Sequence, residues 1–296
     1  MALYPHKEKL EAALVNPKAA ADVPLLQEAM SAYQNWVREM DNLQSSGDEY
    51  LFDLVRLLNS YKDYLEVELI AHHGSDFLKR QKGQMKLDNS VLEEFLPHLV
   101  TPKLLANLPT AFSLETGSQT SFMSLSFCPR DVQSLDKPEV LIKEKDQDFT
   151  IGKSLYYKFS SNPHFSPDKT AEGKLFLAVL AAECKVNYDK TMFQECAGTA
   201  SRLKQGCPIS KYYALVEYLD MSPEDTRLTS IDNVYLLRKA KRLPYEKRAI
   251  YEEVKAQHEN YPIDFGVVHS FVNEIQNFIN ATWYDPDAAL ERGSFV

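Results

Sequence analysis

A chain of 296 residues, 44% hydrophobic and 25% charged, has the make-up of a globular protein with one large domain or two modest ones, which excludes a disordered or fibrous chain. Thirty-three Lys and Arg against 42 Asp and Glu leave a net charge of −9 with the histidines neutral, excluding a uniformly basic nucleic-acid coat but not a local basic patch. The acid is uneven: residues 1–70 hold 12 Asp and Glu against 6 Lys and Arg, whereas residues 233–248 hold 6 Lys and Arg against one Glu.

The longest apolar run, LFLAVLAA at 175–182, falls well short of the roughly 18 residues of a membrane helix. The opening MALYPHKEKLEAAL lacks a signal peptide's apolar core, so a cytoplasmic protein is expected. Cysteines 128, 184, 196 and 207 form no C-x-x-C and read as free thiols rather than a zinc site. None of the ten glycines builds a common nucleotide-binding loop.

In chain order, Leu25, Met30, Trp36, Val37 and Met40 form a helical stripe, with Pro24 suited to the first turn. Leu51, Leu54, Val55, Leu58, Tyr61 and Leu65 form a second, ended by His72, His73 and Gly74. Residues 91–99 predict a third helix, and the basic run Lys79, Arg80, Lys82, Lys86 between them reads as a solvated loop. Pro97, Pro102 and Pro109 mark a boundary near 100–110. Beyond it, 112–127 is rich in Ser, Thr and Phe. Residues 148–159 and 174–186 predict strands, joined by a polar loop. Asp189 can cap a helix running to about Gln205, where Gly206, Cys207 and Pro208 stop it. Residues 212–218 and 231–237 predict strands, and 245–257 and 267–279 closing helices. A mixed α/β core behind a helical N-terminal region follows.

The chemistry concentrates where the apolar strand 175–182 runs into Glu183-Cys184-Lys185. A buried strand avoids unpaired charge, and residues two apart share a face. Glu183 and Lys185 therefore stand side by side, with Cys184 on the other face. A cation needs a second carboxylate, and Asp148 and Asp168 both lie upstream. If strands 148–159 and 174–185 pair antiparallel, Asp148 meets Glu183 and Phe159 faces about Glu172. Pairing through Asp168 would put the turn inside the apolar strand. Spacing thus favours Asp148.

Asp148…Glu183-Cys184-Lys185, on a hairpin followed by a helix and another strand, resembles the PD-(D/E)XK nuclease superfamily. More narrowly, KDQDFTIGKSLYYKF, AAECKVNYDKTMFQECAGTASRLKQGCP and YYALVEYLDM resemble subunits of BbvCI-type restriction endonucleases, over about residues 110–245. Gln147, not proline, precedes Asp148. The resemblance implies a restriction-endonuclease-like mixed sheet flanked by helices, with a helical N-terminal domain at 1–108 for DNA binding or subunit contact and a nuclease domain at 109–296. It implies Mg2+ held by Asp148, Glu183 and the Cys184 carbonyl, and Lys185 orienting the attacking water. It also implies double-stranded DNA as substrate and a related second subunit as partner, a homodimer remaining open.

DNA contacts read from the residues are Lys190, Thr191 and Gln194 on the helix after the triplet, the basic cluster Arg238, Lys239, Lys241 and Arg242, and Gln119, Thr120 and Ser121 for base edges. Two other readings stand beside this one: a structure-specific or repair nuclease with the same core, and a non-enzymatic binding protein whose Glu183 and Lys185 form a plain salt bridge.

Overall fold

The computed structural model describes residues 4–109, 114–281 and 285–294. Nine α-helices and five strands are found among them. Helices α1 (Pro5–Leu14), α2 (Val23–Asp41), α3 (Gly47–Lys62), α4 (Asp76–Gln81) and α5 (Asn89–Phe95) precede the sheet. In α2 the buried positions are Leu26, Ala29, Tyr33, Trp36 and Met40, and Pro24 lies in the first turn. The inward stripe is thus set slightly round the helix from the expected one; Leu25, Met30 and Val37 pack at its margin. Helix α3 runs on through π-helical turns at Asp63–His73 before Gly74 stops it. A Cβ on Gly74 would stand 2.5 Å from the Ile70 carbonyl oxygen, so only glycine fits. The basic run is not all loop, since Lys79 and Arg80 lie in α4.

The sheet has strand order β1 (Glu115–Phe127), β2 (Val140–Ser160), β3 (Thr170–Tyr188), β4 (Lys211–Leu219), β5 (Asn233–Lys241). The first two pairings are antiparallel and the last two parallel, with α6 (Lys190–Gly206) crossing from β3 to β4. Sequence periodicity did not reveal β1, whose Ser- and Thr-rich face alternates weakly; residues 112 and 113 of that stretch lie outside the described ones. Strand β2 also starts earlier than expected, at Val140. The hairpin register is close to that expected: Phe149 faces Ala182 and Phe159 faces Ala171. A bulge falls at Gly152, where a Cβ would overlap the Leu177 carbonyl.

The β1–β2 register also shifts, between Gly117 and Gln119 and between Phe122 and Ser124. The β1–β2 connection meets the β2–β3 connection, where Ser161 and Lys169 bond Asp136 and the Phe127 and Phe159 rings lie 5.3 Å apart. Helices α7 (Tyr251–Asn260) and α8 (Phe265–Asn280) follow, with a short α9 (Pro286–Arg292); α7 starts later than the expected Tyr245, which sits in a 3-10 turn.

Both sheet faces are covered, which is why residues 175–182 are apolar without alternation. One face packs Phe149, Leu180, Ala182, Cys184, Tyr213 and Leu215 against the N-terminal helices and α8. The other packs Ala181, Tyr212, Ala214 and Val216 against Phe193, Cys196, Ala200 and Leu203 of α6. The first core runs without a break from Leu10 to Phe278, so the expected boundary near residue 108 is not a gap in packing.

Candidate active site

The sheet forks. Strand β2 pairs with β3 as far as Phe149 and Ala182. Beyond that point β3 continues beside β4, from Glu183 opposite Ala214 to Tyr188 opposite Leu219, while residues 140–147 of β2 continue beside β1. A fork strips inter-strand partners from the facing backbone, and buried N–H groups need replacements. Two side chains supply them. Asp148 Oδ2 accepts from the Cys184 N–H at 2.9 Å, and Asn89 Oδ1 at the start of α5 accepts from the Val186 N–H at 2.8 Å.

This local need draws the reactive groups together. Lys185 Nζ lies 2.5 Å from Glu183 Oε1 and 3.8 Å from Asp148 Oδ2. Burial, then Glu183, raise the Asp148 pKa, with Lys185 opposing. Burial works against the Lys185 ammonium, but Glu183 and Asp148 outweigh it and raise its pKa. Burial, then Asp148 and Glu93, push the Cys184 thiol up, so it stays protonated and is no thiolate ligand. Asp168 sits in the 3-10 turn Pro167–Lys169 at the other end of the hairpin, away from this cluster.

Sequence reasoning missed Glu93. It is buried on α5, and burial followed by the Asp148 charge pushes its pKa up to about 7. The available signal was two consecutive acids, Glu93 and Glu94, inside an apolar helix. Glu94 is otherwise engaged, accepting from Tyr33 Oη and the His6 N–H. Lys86 is near enough to act electrostatically on both Asp148 and Glu93.

The start of α5 is fixed from below by buried charge. Lys62 Nζ donates to the Asp88 carbonyl at 3.1 Å and pairs with Glu66 at 2.6 Å and Glu217 at 2.8 Å. Arg238 Nε pairs with Glu217 at 2.8 Å. Asp88 and Asn89 open α5, so this network helps set where Asn89 and Glu93 stand.

The donor set fits a hard divalent cation. Two carboxylates of opposite strands face each other with one lysine between them. The N–H and C=O of a strand residue share an edge, so the Cys184 carbonyl faces the fork beside Asp148. Among the described residues no three His, Cys, Asp or Glu side chains form a metal cage. Water and a phosphate oxygen would complete the coordination.

The expected DNA contacts divide. Lys190, Thr191 and Gln194 are exposed at the start of α6, with Lys190 loosely paired to Glu224 at 3.7 Å. Lys241 is exposed, Lys239 is exposed but pairs with Asp264 at 2.8 Å, and Arg242 pairs with Asp220 at 2.9 Å. Arg238 is wholly buried on Glu217, so it cannot reach a phosphate: the β4–β5 register shifts between Leu236 and Ala240, beside Lys239 at φ 50°, and this irregularity turns Arg238 inward, which a count of charges ignores. Ser121 is likewise buried and cannot read a base. Gln119 and Thr120 are half-exposed, and Thr120 bonds Asp146.

A forked mixed sheet between two helical layers, with Asp148, Glu183 and Lys185 gathered at the fork, is the restriction-endonuclease-like fold. A family model described as Bpu10I restriction endonuclease matches residues 84–295. The chain belongs to the Bpu10I restriction endonuclease family, which sets aside the non-enzymatic reading. Among solved structures, a chain of the native BbvCI A2B2 tetramer superposes with a TM-score of 0.63 at 19% identity, covering 94% of this chain and 97% of that one. No curated protein matches the sequence. Among the described residues no helix is long and apolar enough to cross a membrane.

Proposed function

We propose that this chain is one subunit of a Mg2+-dependent type II restriction endonuclease and hydrolyses one strand of double-stranded DNA at a specific asymmetric site. The observation that carries the proposal is the convergence of Asp148, Glu183 and Lys185 at a fork whose backbone requires Asp148 there. Asp148, Glu183 and the Cys184 carbonyl hold Mg2+. The bound ion supplies Lewis acidity and a lowered pKa for coordinated water. Lys185, cationic through its two carboxylate neighbours, donates to the attacking water and offsets charge gathering on the phosphoryl oxygens. Glu93, buried on α5 within reach of the Asp148 charge, adds a third carboxylate to the negative field that would attract the ion.

The partner is a related second subunit, in keeping with the two kinds of chain in the BbvCI A2B2 assembly. The helical N-terminal region contacts DNA or that partner. Lys190, Thr191, Gln194 and Lys241 line the approach for the phosphate backbone, with Gln119 and Thr120 on base edges.

The test pairs this chain with its partner and assays supercoiled plasmid with Mg2+. The intact pair gives discrete double-strand fragments. With Glu183→Gln in this chain alone, the expected product is nicked circle. Continued double-strand cutting would overturn the assignment of the site, and indiscriminate cutting of branched DNA would favour a structure-specific nuclease instead.

A further inference from the structure

Glu183 is approached from two sides. Lys185 takes Oε1, and the hydroxyl of Tyr212 on β4 lies 3.5 Å from Oε2. Tyr212 is wholly buried, on the α6 face of the sheet and behind the fork rather than in it. The register explains the reach. Tyr212 stands opposite Ala181, while Glu183, two residues on, stands opposite Ala214. Same-face neighbours along a strand are about 6.6 Å apart. Ala181 opposite Tyr212 and Ala214 opposite Glu183 leave the phenol room to lean along the strand to the carboxylate.

The surroundings are otherwise apolar, apart from the Cys196 thiol and the Tyr188 hydroxyl. The thiol interacts with both phenols. A buried hydroxyl without an acceptor is unfavourable. The Glu183 carboxylate and the Cys196 sulfur are the acceptors that the geometry offers Tyr212, and the carboxylate is the stronger of the two.

We propose that Tyr212 is a positioning residue for Glu183: its hydroxyl donates to Oε2 and fixes the rotation of the carboxylate, so that the group faces the fork instead of closing wholly onto Lys185. The proposal rests on the reading of Glu183 as a cation-holding carboxylate. Without the tyrosine hydroxyl, Lys185 holds Oε1 unopposed and the carboxylate turns away from the cation. Partners of ligands, when removed, cost roughly 10- to 100-fold in metal affinity or activity. Phenylalanine keeps the ring and removes the donor.

The test is Tyr212→Phe in the assembled enzyme, read by calorimetric titration with Mn2+ and by cleavage rate against Mg2+ concentration. The expected result is about a tenfold weaker Mn2+ affinity and a matching rise in the Mg2+ needed for half-maximal cleavage, with the rate at saturating Mg2+ restored to within about threefold. A merely structural role would lower the rate equally at every Mg2+ concentration, and that outcome, or unchanged Mn2+ affinity, overturns the proposal. Glu183→Gln run alongside separates the two readings: if it too leaves Mn2+ binding intact, the cation role of Glu183 fails, whatever Tyr212 does. A measurement on the native side chain covers a variant that does not fold. In tyrosine-labelled protein the ring carbon bearing the Tyr212 hydroxyl shifts on adding Mg2+, whereas that of Tyr213, on the opposite sheet face, does not; an unmoved Tyr212 signal overturns the proposal.

Discussion

Asp148 accepts a hydrogen bond from the backbone N–H of Cys184, 36 residues away, at 2.9 Å. The bond stands where a β-ladder rung would stand had the strands stayed together. One carboxylate oxygen thus closes the sheet's fork and lies 3.8 Å from Lys185. Structure and proposed chemistry meet in a single side chain.

Asp148→Asn is therefore expected to lower cleavage of this chain's strand by about a hundredfold or more, the scale on which a group aimed at developing charge acts. Asp168→Asn, at the far hairpin turn, is expected to leave the rate unchanged. Strand-specific cleavage of end-labelled duplex measures both. Equal losses would return Asp168 to consideration.

The buried quartet Lys62, Glu66, Glu217 and Arg238 governs stability. Lys62 is wholly buried between two glutamates. Lys62→Met leaves Glu66 with Lys82 alone and Glu217 with Arg238 alone, and removing one partner of a buried pair costs about 3–5 kcal/mol. Lys62→Met combined with Glu217→Gln is expected to lose less than the sum of the single losses, since each removes the other's unpaired charge. Urea unfolding of the four proteins gives the coupling; strict additivity would contradict the network.

How far the sequence disclosed this molecule follows from which forces are local. The strand 175–182, buried on both faces, announces itself by continuous apolar residues, and the helix after Asp189 by its cap, which accepts from the Met192 N–H. The hairpin register was legible because 148–159 and 174–185 are of matching length. Strand β1 was not, because its order comes from pairing with β2 and from packing Met123 under α6 rather than from its own pattern. Glu93 and Arg238 escaped for a shared reason. Whether a charged residue faces solvent or another buried charge is decided by residues far along the chain: the like-charged Asp148 for Glu93, the counter-charge Glu217 for Arg238.

His6 makes stability depend on pH. Its ring is wholly buried, with Nδ1 2.9 Å from Ser90 Oγ and Nε2 2.6 Å from Tyr61 Oη. Burial, then the Lys62 charge, lower its pKa to about 3, with Glu66 opposing. Below pH ~6.5 the unfolded chain binds a proton that the folded chain refuses. The His6 contribution is thus fully present above that pH. It falls by about 1.4 kcal/mol per pH unit as the solution is acidified towards the folded value. Glu94, whose pKa burial raises, contributes with the opposite sign, so the His6 share is read as a difference. Between pH 7 and 5, wild type should lose stability faster than His6→Gln, measured by urea unfolding. Parallel curves would place the ring in a protonatable setting.

The basic residues are separable by salt. A lysine that neutralises a phosphate releases a counterion, and its loss flattens the dependence of log binding constant on log salt by nearly one unit. Lys241 and Lys190 are exposed, and Lys190 has only a 3.7 Å partner to give up. Lys241→Ala and Lys190→Ala are each expected to weaken DNA binding and lower that slope by about one. Arg238→Ala should leave the slope unaltered while lowering the urea midpoint, because it takes from the buried Glu217 one of its two cationic partners. Fluorescence anisotropy with Ca2+ in place of Mg2+ gives the slopes. A reduced slope for Arg238→Ala would mean that the C-terminal end of β5 opens on the nucleic acid and delivers its buried arginine to a phosphate.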